Sequence, residues 1–198
     1  MRIKLDKDNP SEFIHTLKSI TKNKKVVFAC VGTDRSTGDS LGPLIGSSLE
    51  LLGYNVVGTL DNPLHATNLS ERMAIMKQMD YDLVIAIDAC LGRINNIGSN
   101  FLKNGPIKPG KGVGKEDLPE IGDYNITGVV NVGGYMEYMV LQNTRLSVVT
   151  NMSKLIVEAI NSSVPLDEYN FVKVRNEIKL SLLEKIKSIF TKTKIRLA

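Results

Sequence analysis

Five apolar residues stand in a row between two carboxylates in Asp82-Leu-Val-Ile-Ala-Ile-Asp88, and this run restricts the fold more than any other feature of the chain. It is short for a helix, rich in β-branched residues and without a polar alternate position, so it reads as a strand buried on both faces that stops at Asp88. Lys25-Val-Val-Phe-Ala-Cys-Val31, ended by Gly32, repeats the pattern. Beyond it Leu41, Leu44, Ile45, Leu49 and Leu52 fall near helical spacing, with Gly53 placed as a stop. Residues 55–60 form a further strand candidate. Leu69, Met73 and Met76 mark the inner stripe of a helix over 66–79, its methionines core residues rather than cofactor ligands. Strands alternating with helices call for right-handed crossovers and a mostly parallel sheet with helices on both faces, an α/β fold.

The second half is less regular. Residues 90–123, rich in Gly, Pro, Lys and Asn, predict a weak strand near 100–103 and then a long loop. A strand over 124–132 and helices over 135–142 and 146–160 follow. Positions 1–198 read as a single domain with its α/β body at 25–160. Residues 166–198 read as a basic amphipathic C-terminal helix, with Val174, Ile178, Leu182, Ile186 and Phe190 spaced every four. The net charge of +4 is uneven: 173–196 holds eight basic and two acidic residues, which leaves the rest of the chain net negative. Those charges flank an apolar stripe and are read as a solvated helix face, and no nucleic-acid module accompanies them. No apolar run approaches the ~18 residues of a membrane span. The polar start lacks the features of a secretory signal, so a cytoplasmic protein is expected. Its two cysteines, Cys30 and Cys90, are expected to be reduced thiols.

Ligands of open α/β sheets collect where loops leave the carboxyl ends of strands, which puts residues 32–43 and 88–93 on one rim. The loop Gly32-Thr-Asp-Arg-Ser-Thr-Gly-Asp-Ser-Leu-Gly-Pro43 has neither a G-x-G-x-x-G pattern nor the Gly-Lys-Ser/Thr ending of a phosphate loop. An aspartate near the start of a helix also repels phosphate, so nucleotide binding is set aside. Asp39 has two readings, a helix N-cap for the amide of Leu41 or Gly42, or a functional carboxylate. Asp88 closes an apolar strand, where a carboxylate is costly to desolvate unless it is paired or opens onto a cleft. Two carboxylates meeting across strand ends split their pKa values, one ionised to activate water and one protonated to donate. His65 follows the second strand and can reach the rim as a ligand or base. His15 belongs to an N-terminal helix remote from it. Cys30 and Cys90 read as small buried hydrophobes, and Glu137 as part of a helix face. Asp34 and Arg35 suit a turn. Together with Thr33, Gly38, His65 and Asn131 they make up the candidate substrate-binding set.

Four motifs carry a resemblance: Val31-Gly-Thr-Asp-Arg-Ser-Thr-Gly-Asp-Ser-Leu-Gly-Pro43, Gly58-Thr-Leu-Asp-Asn-Pro-Leu-His-Ala66, Ile87-Asp-Ala-Cys-Leu-Gly92 and Val140-Leu-Gln-Asn-Thr-Arg-Leu146. In this order, over roughly 25–160, they resemble the YyaC-type sporulation proteins, also called YyaC spore proteases. That family is in turn similar to the germination protease of spore formers, whose proposed catalytic aspartates match Asp39 in Asp-Ser-Leu-Gly-Pro and Asp88 in Ile-Asp-Ala. It is also similar to the hydrogenase maturation endopeptidases, with their phosphorylase/hydrolase-like α/β fold and acidic residues at the same two positions around nickel. The resemblance implies a peptidase of the forespore or spore, with Asp39 and Asp88 catalytic and a protein or peptide substrate such as small acid-soluble spore proteins. The later histidine of the nickel enzymes has no counterpart in Asn131-Val-Gly-Gly-Tyr-Met-Glu137, which argues for a pair working without metal or other cofactor. Two rivals remain: a divalent metal held by Asp39, Asp88 and His65, and an inactive descendant that binds peptide in the old cleft.

Overall fold

The computed structural model describes residues 1–110 and 118–166. In chain order the elements are β1 (Arg2–Leu5), α1 (Ser11–Thr21), β2 (Val26–Cys30), α2 (Leu41–Leu51), β3 (Asn55–Val57), α3 (Leu69–Met76), β4 (Leu83–Gly92), β5 (Asn100–Asn104), β6 (Tyr124–Val132), α4 (Glu137–Gln142) and α5 (Leu146–Ser163). The strands form one six-stranded sheet in the order β1-β5-β6-β4-β2-β3. β3, β2, β4 and β6 run parallel, whereas β5 is antiparallel to both of its neighbours. The result is a mixed sheet in an α/β fold, with the parallel strands at its centre.

Alternation along the strands divides the core. Phe28, Cys30, Ile85 and Ile87 point to one face, where Phe13 and Leu17 of α1, Leu41, Ile45 and Leu49 of α2, and Val149, Ile156 and Ile160 of α5 cover them. Val27, Ala29, Val84 and Ala86 point to the other, under Leu69 and Met76 of α3. β2, and β4 as far as Ile87, are therefore apolar at every position, whereas an antiparallel sheet with one wet face would alternate.

Three expectations change. β4 does not stop at Asp88 but runs to Gly92, because β6 continues beside it, Asp88 opposite Thr127 and Cys90 opposite Val129, with a bulge between Cys90 and Leu91. β1 is an added strand on the far edge; its alternation, with Ile3 and Leu5 buried between exposed Arg2 and Lys4, is too short to stand out in a polar terminus. The helix predicted over 66–79 shortens to α3, because Asn68 and the turn before it occupy the first positions. Past Leu166, the predicted C-terminal helix lies outside the described residues.

Candidate active site

β2 leaves the sheet after Cys30. The Val31 amide still donates to the Ile87 carbonyl at 2.7 Å and Gly32 donates to Leu64 at 2.8 Å, after which the chain turns out of the sheet. Gly32 makes that turn at φ +136°, and a Cβ there would lie 2.0 Å from the Asp39 carbonyl, so only glycine suits the position. The loop returns through a single 3-10 turn, Gly38–Ser40, and the Asp39 carbonyl accepts the Thr33 amide at 3.1 Å. Gly42 then lets α2 start hard against the strand end, since a Cβ would sit 2.0 Å from the Val31 carbonyl. The N-cap role open to Asp39 is not taken: Ser40 holds that position and no side chain caps the helix. The Asp39 carboxyl is left facing a cavity.

Asp88 lies one residue beyond the last β2–β4 pair, Cys30 with Ile87. Here β4 loses its neighbour on one side and keeps β6 on the other. The cavity opens in this gap, about 860 Å³ in volume, and both Asp39 and Asp88 line it. Burial pushes the Asp88 carboxyl well above the usual carboxylate range; the Asp39 charge raises it further, and a hydrogen bond from the Ala89 amide opposes the rise in part. Asp39 is also raised by burial, but the Thr33 amide and the His65 imidazole hold it down. The electrostatics separate the pair in the way that two neighbouring carboxyls with different surroundings require: Asp88 keeps its proton more firmly and Asp39 gives it up more readily.

His65 lines the same cavity. Its Nδ1 is 2.8 Å from the Thr67 hydroxyl and its amide donates to Asn68 Oδ1 at 2.9 Å, so Thr67 and Asn68 hold the residue at the cavity wall, where its imidazole acts electrostatically on Asp39. Of the remaining substrate-binding candidates, Thr33 and Arg35 line the cavity, while Asp34, Gly38 and Asn131 do not. Asp34 is exposed. Gly38 packs where a Cβ would meet Thr144 and Leu141, and Asn131 Nδ2 donates to the Val140 carbonyl at 3.3 Å and the Thr144 hydroxyl at 3.2 Å, so both seat α4 on the loop. Cys30 is fully buried, as expected, and burial raises its thiol. Cys90 is a correction: it is only partly buried and lines the cavity, its thiol raised by burial and pulled back in part by Lys103. Glu137 lines the cavity too. Ser36, inside the first motif, and Tyr138 and Thr127, outside all four, also line it. Strand register could have found Thr127, since it faces Asp88 directly.

For the nickel of the maturation enzymes, or any transition metal, the donor set does not fit. Among the described residues no three His, Cys, Asp or Glu side chains are grouped to hold an ion. Nor does any helix among them have the length and apolarity to cross a membrane.

The family described as "Protein of unknown function (DUF1256)" matches residues 2–159 of this chain. "Uncharacterized protein YyaC" of Bacillus subtilis (strain 168) is 52% identical over 142 residues, which are 70% of this chain and 69% of that protein. Among solved structures, the NiFe hydrogenase maturation protease HycI from Thermococcus kodakarensis KOD1 is similar with a TM-score of 0.48 at 19% identity, over 74% of this chain and 99% of that one. The maturation protease HybD from Thermococcus kodakarensis gives a TM-score of 0.39 at 14% identity, over 68% of this chain and 97% of that one.

Proposed function

This chain belongs to the DUF1256 family, and for it we propose peptide-bond hydrolysis by the carboxylate pair Asp39 and Asp88. The observation that carries the reading is that both aspartates, from separate motifs, open onto one cavity where β2 parts from β4, and that the charge of Asp39 raises Asp88. Asp39, held down by the Thr33 amide and His65, is the base. It takes a proton from water as the water oxygen bonds to the peptide carbonyl carbon. Asp88, still protonated, gives its proton to the carbonyl oxygen. As the tetrahedral intermediate collapses, the C–N bond breaks, the proton on Asp39 passes to the departing nitrogen, and Asp88 recovers its own from the hydroxyl. Thr33, Arg35 and His65 position the substrate around the pair.

In the cell this chemistry would serve spore formation, with small acid-soluble spore proteins as the substrate class and the forespore as its place; the motif resemblance over 25–160 supports that extension. The direct test is cleavage of purified spore proteins, and of a peptide library, by the parent, Asp39→Asn and Asp88→Asn. Cleavage by the parent and loss by about a hundredfold or more in both variants is expected, since an amide keeps the shape but neither takes nor gives the proton. Cleavage by Asp88→Asn at the parent's rate would remove Asp88 from the chemistry, and no cleavage by the parent would leave a peptide-binding protein.

A further inference from the structure

β2 and β4 part company at a point that leaves main-chain groups of β4 unused. Along a parallel strand, successive residues direct their N–H and C=O groups alternately to one neighbour and the other. The Ile87 carbonyl accepts the Val31 amide on the β2 side, and the Gly92 carbonyl accepts the Gly133 amide on the β6 side. By that alternation Asp88, Cys90 and Gly92 serve β6, while Ala89 and Leu91 point to the side that β2 has vacated. The register agrees, because β2 pairing ends at Ile87 whereas β6 pairing continues to Gly92. The Ala89 amide turns to the Asp88 carboxyl. Among the described residues no loop or turn backbone group bonds to the Ala89 carbonyl, the Leu91 amide or the Leu91 carbonyl. Ala89 and Leu91 both line the cavity that holds the carboxylate pair.

A second observation comes from the same cavity. Ser36 is 8% exposed, and its hydroxyl has no hydrogen-bond partner. It lines the same cavity. A buried hydroxyl and unpaired strand groups in one cavity are costly to leave unmet and are matched by a ligand carrying alternating donors and acceptors. A polypeptide main chain in extended form has that pattern, and an unpaired strand edge is its usual receptor.

We propose that the site takes its substrate as an extended polypeptide segment, added as a strand against Ala89–Leu91 in the place that β2 gives up, within the cavity that Ser36 also lines. This rests on the hydrolase reading and deepens it. Recognition then runs through the peptide backbone, so unfolded or extended segments are bound with broad side-chain tolerance, and helical or folded ones are refused.

The test uses the full-length chain carrying Asp88→Asn, so that cleavage does not deplete the probe, and two probes: a randomised peptide library of uniform length, and the same library with its backbone nitrogens methylated. The unmethylated library should bind, and methylation should weaken binding about tenfold or more, through lost main-chain hydrogen bonds. In the same background, Leu91→Pro removes the free amide without touching the β6 ladder and should weaken binding about tenfold, whereas Leu91→Val should not. If Leu91→Pro fails to fold by circular dichroism, the methylation comparison decides alone. Equal binding of the two libraries, or binding of neither, overturns the proposal. The two readings fail separately: backbone-dependent binding with no cleavage by the parent keeps this inference and sinks the hydrolase, while equal cleavage of both libraries by the parent does the reverse.

Discussion

At the scale of single residues the pair makes opposite demands on pH. The proposed hydrolysis would need Asp39 ionised and Asp88 protonated, so its rate should rise as pH climbs through the raised pKa of Asp39 and fall as it climbs through the higher one of Asp88. Because the His65 charge lowers Asp39, His65→Ala should shift the acid limb of that profile to higher pH and leave the alkaline limb in place; a limb that stays put would take His65 out of the site's electrostatics. Stability gives a readout independent of catalysis. The folded-state pKa of Asp88 lies above its unfolded value, so its contribution is most favourable below the unfolded pKa and is lost as pH rises through the folded one. Asp88→Asn should therefore raise stability at neutral pH, since the amide carries no charge to desolvate. The gain should vanish below pH ~4 in thermal melts, where the parent carboxyl is protonated in both states. Both aspartates were legible in the sequence, one as a charge closing an apolar run and one in a loop of three glycines. Ser36 and Cys90 were not, since a serine in a turn and a cysteine in a strand carry no signal until the neighbouring loop and strand are placed.

At the scale of elements, close approach rather than hydrogen bonding sets the position of Asp39. α2 begins where it does because Gly42 rests on the Val31 carbonyl. Gly42→Ala should push the helix off the strand end and destabilise the fold by about 1–3 kcal/mol in urea titration, overpacking being the cause. If peptide hydrolysis is established, its rate should fall more steeply than stability, since Asp39 sits only three residues upstream. The sequence predicted β2, β5, β6, α2, α4 and α5 close to their observed places because hydrophobic spacing and glycine stops are local, whereas the strand expected over 55–60 ends at Val57, where Gly58 turns the chain at φ +104°. It ended β4 too early for the opposite reason: Ala89, Cys90, Leu91 and Gly92 are strand because β6 lies beside them, and a neighbour from more than thirty residues along the chain leaves no local trace.

At the scale of the whole molecule, the sheet is built outward from its parallel centre and closed by the antiparallel pair β5 and β1. Removing residues 1–5 strips the buried Ile3 and Leu5 from the core and the Arg2 guanidinium from the ring of Phe101, 4.0 Å away. A loss of about 3–5 kcal/mol is expected in denaturant titration, on ~1.5–3 kcal/mol per buried aliphatic side chain. An unchanged midpoint would show β1 to be ornamental. Because the described donors do not assemble a metal centre, chelator should leave the melting temperature of the whole chain unchanged, and stoichiometric nickel or zinc by elemental analysis would contradict that. The pairing of Arg2 with Lys103 also has a meaning in time. β1 can join the sheet only after β5 has been made, and β5 itself waits on β6 for its other side. Such long-range pairings form late and slowly. During synthesis, then, β1 stays unpaired beside a half-built sheet until Asn100–Asn104 has been made.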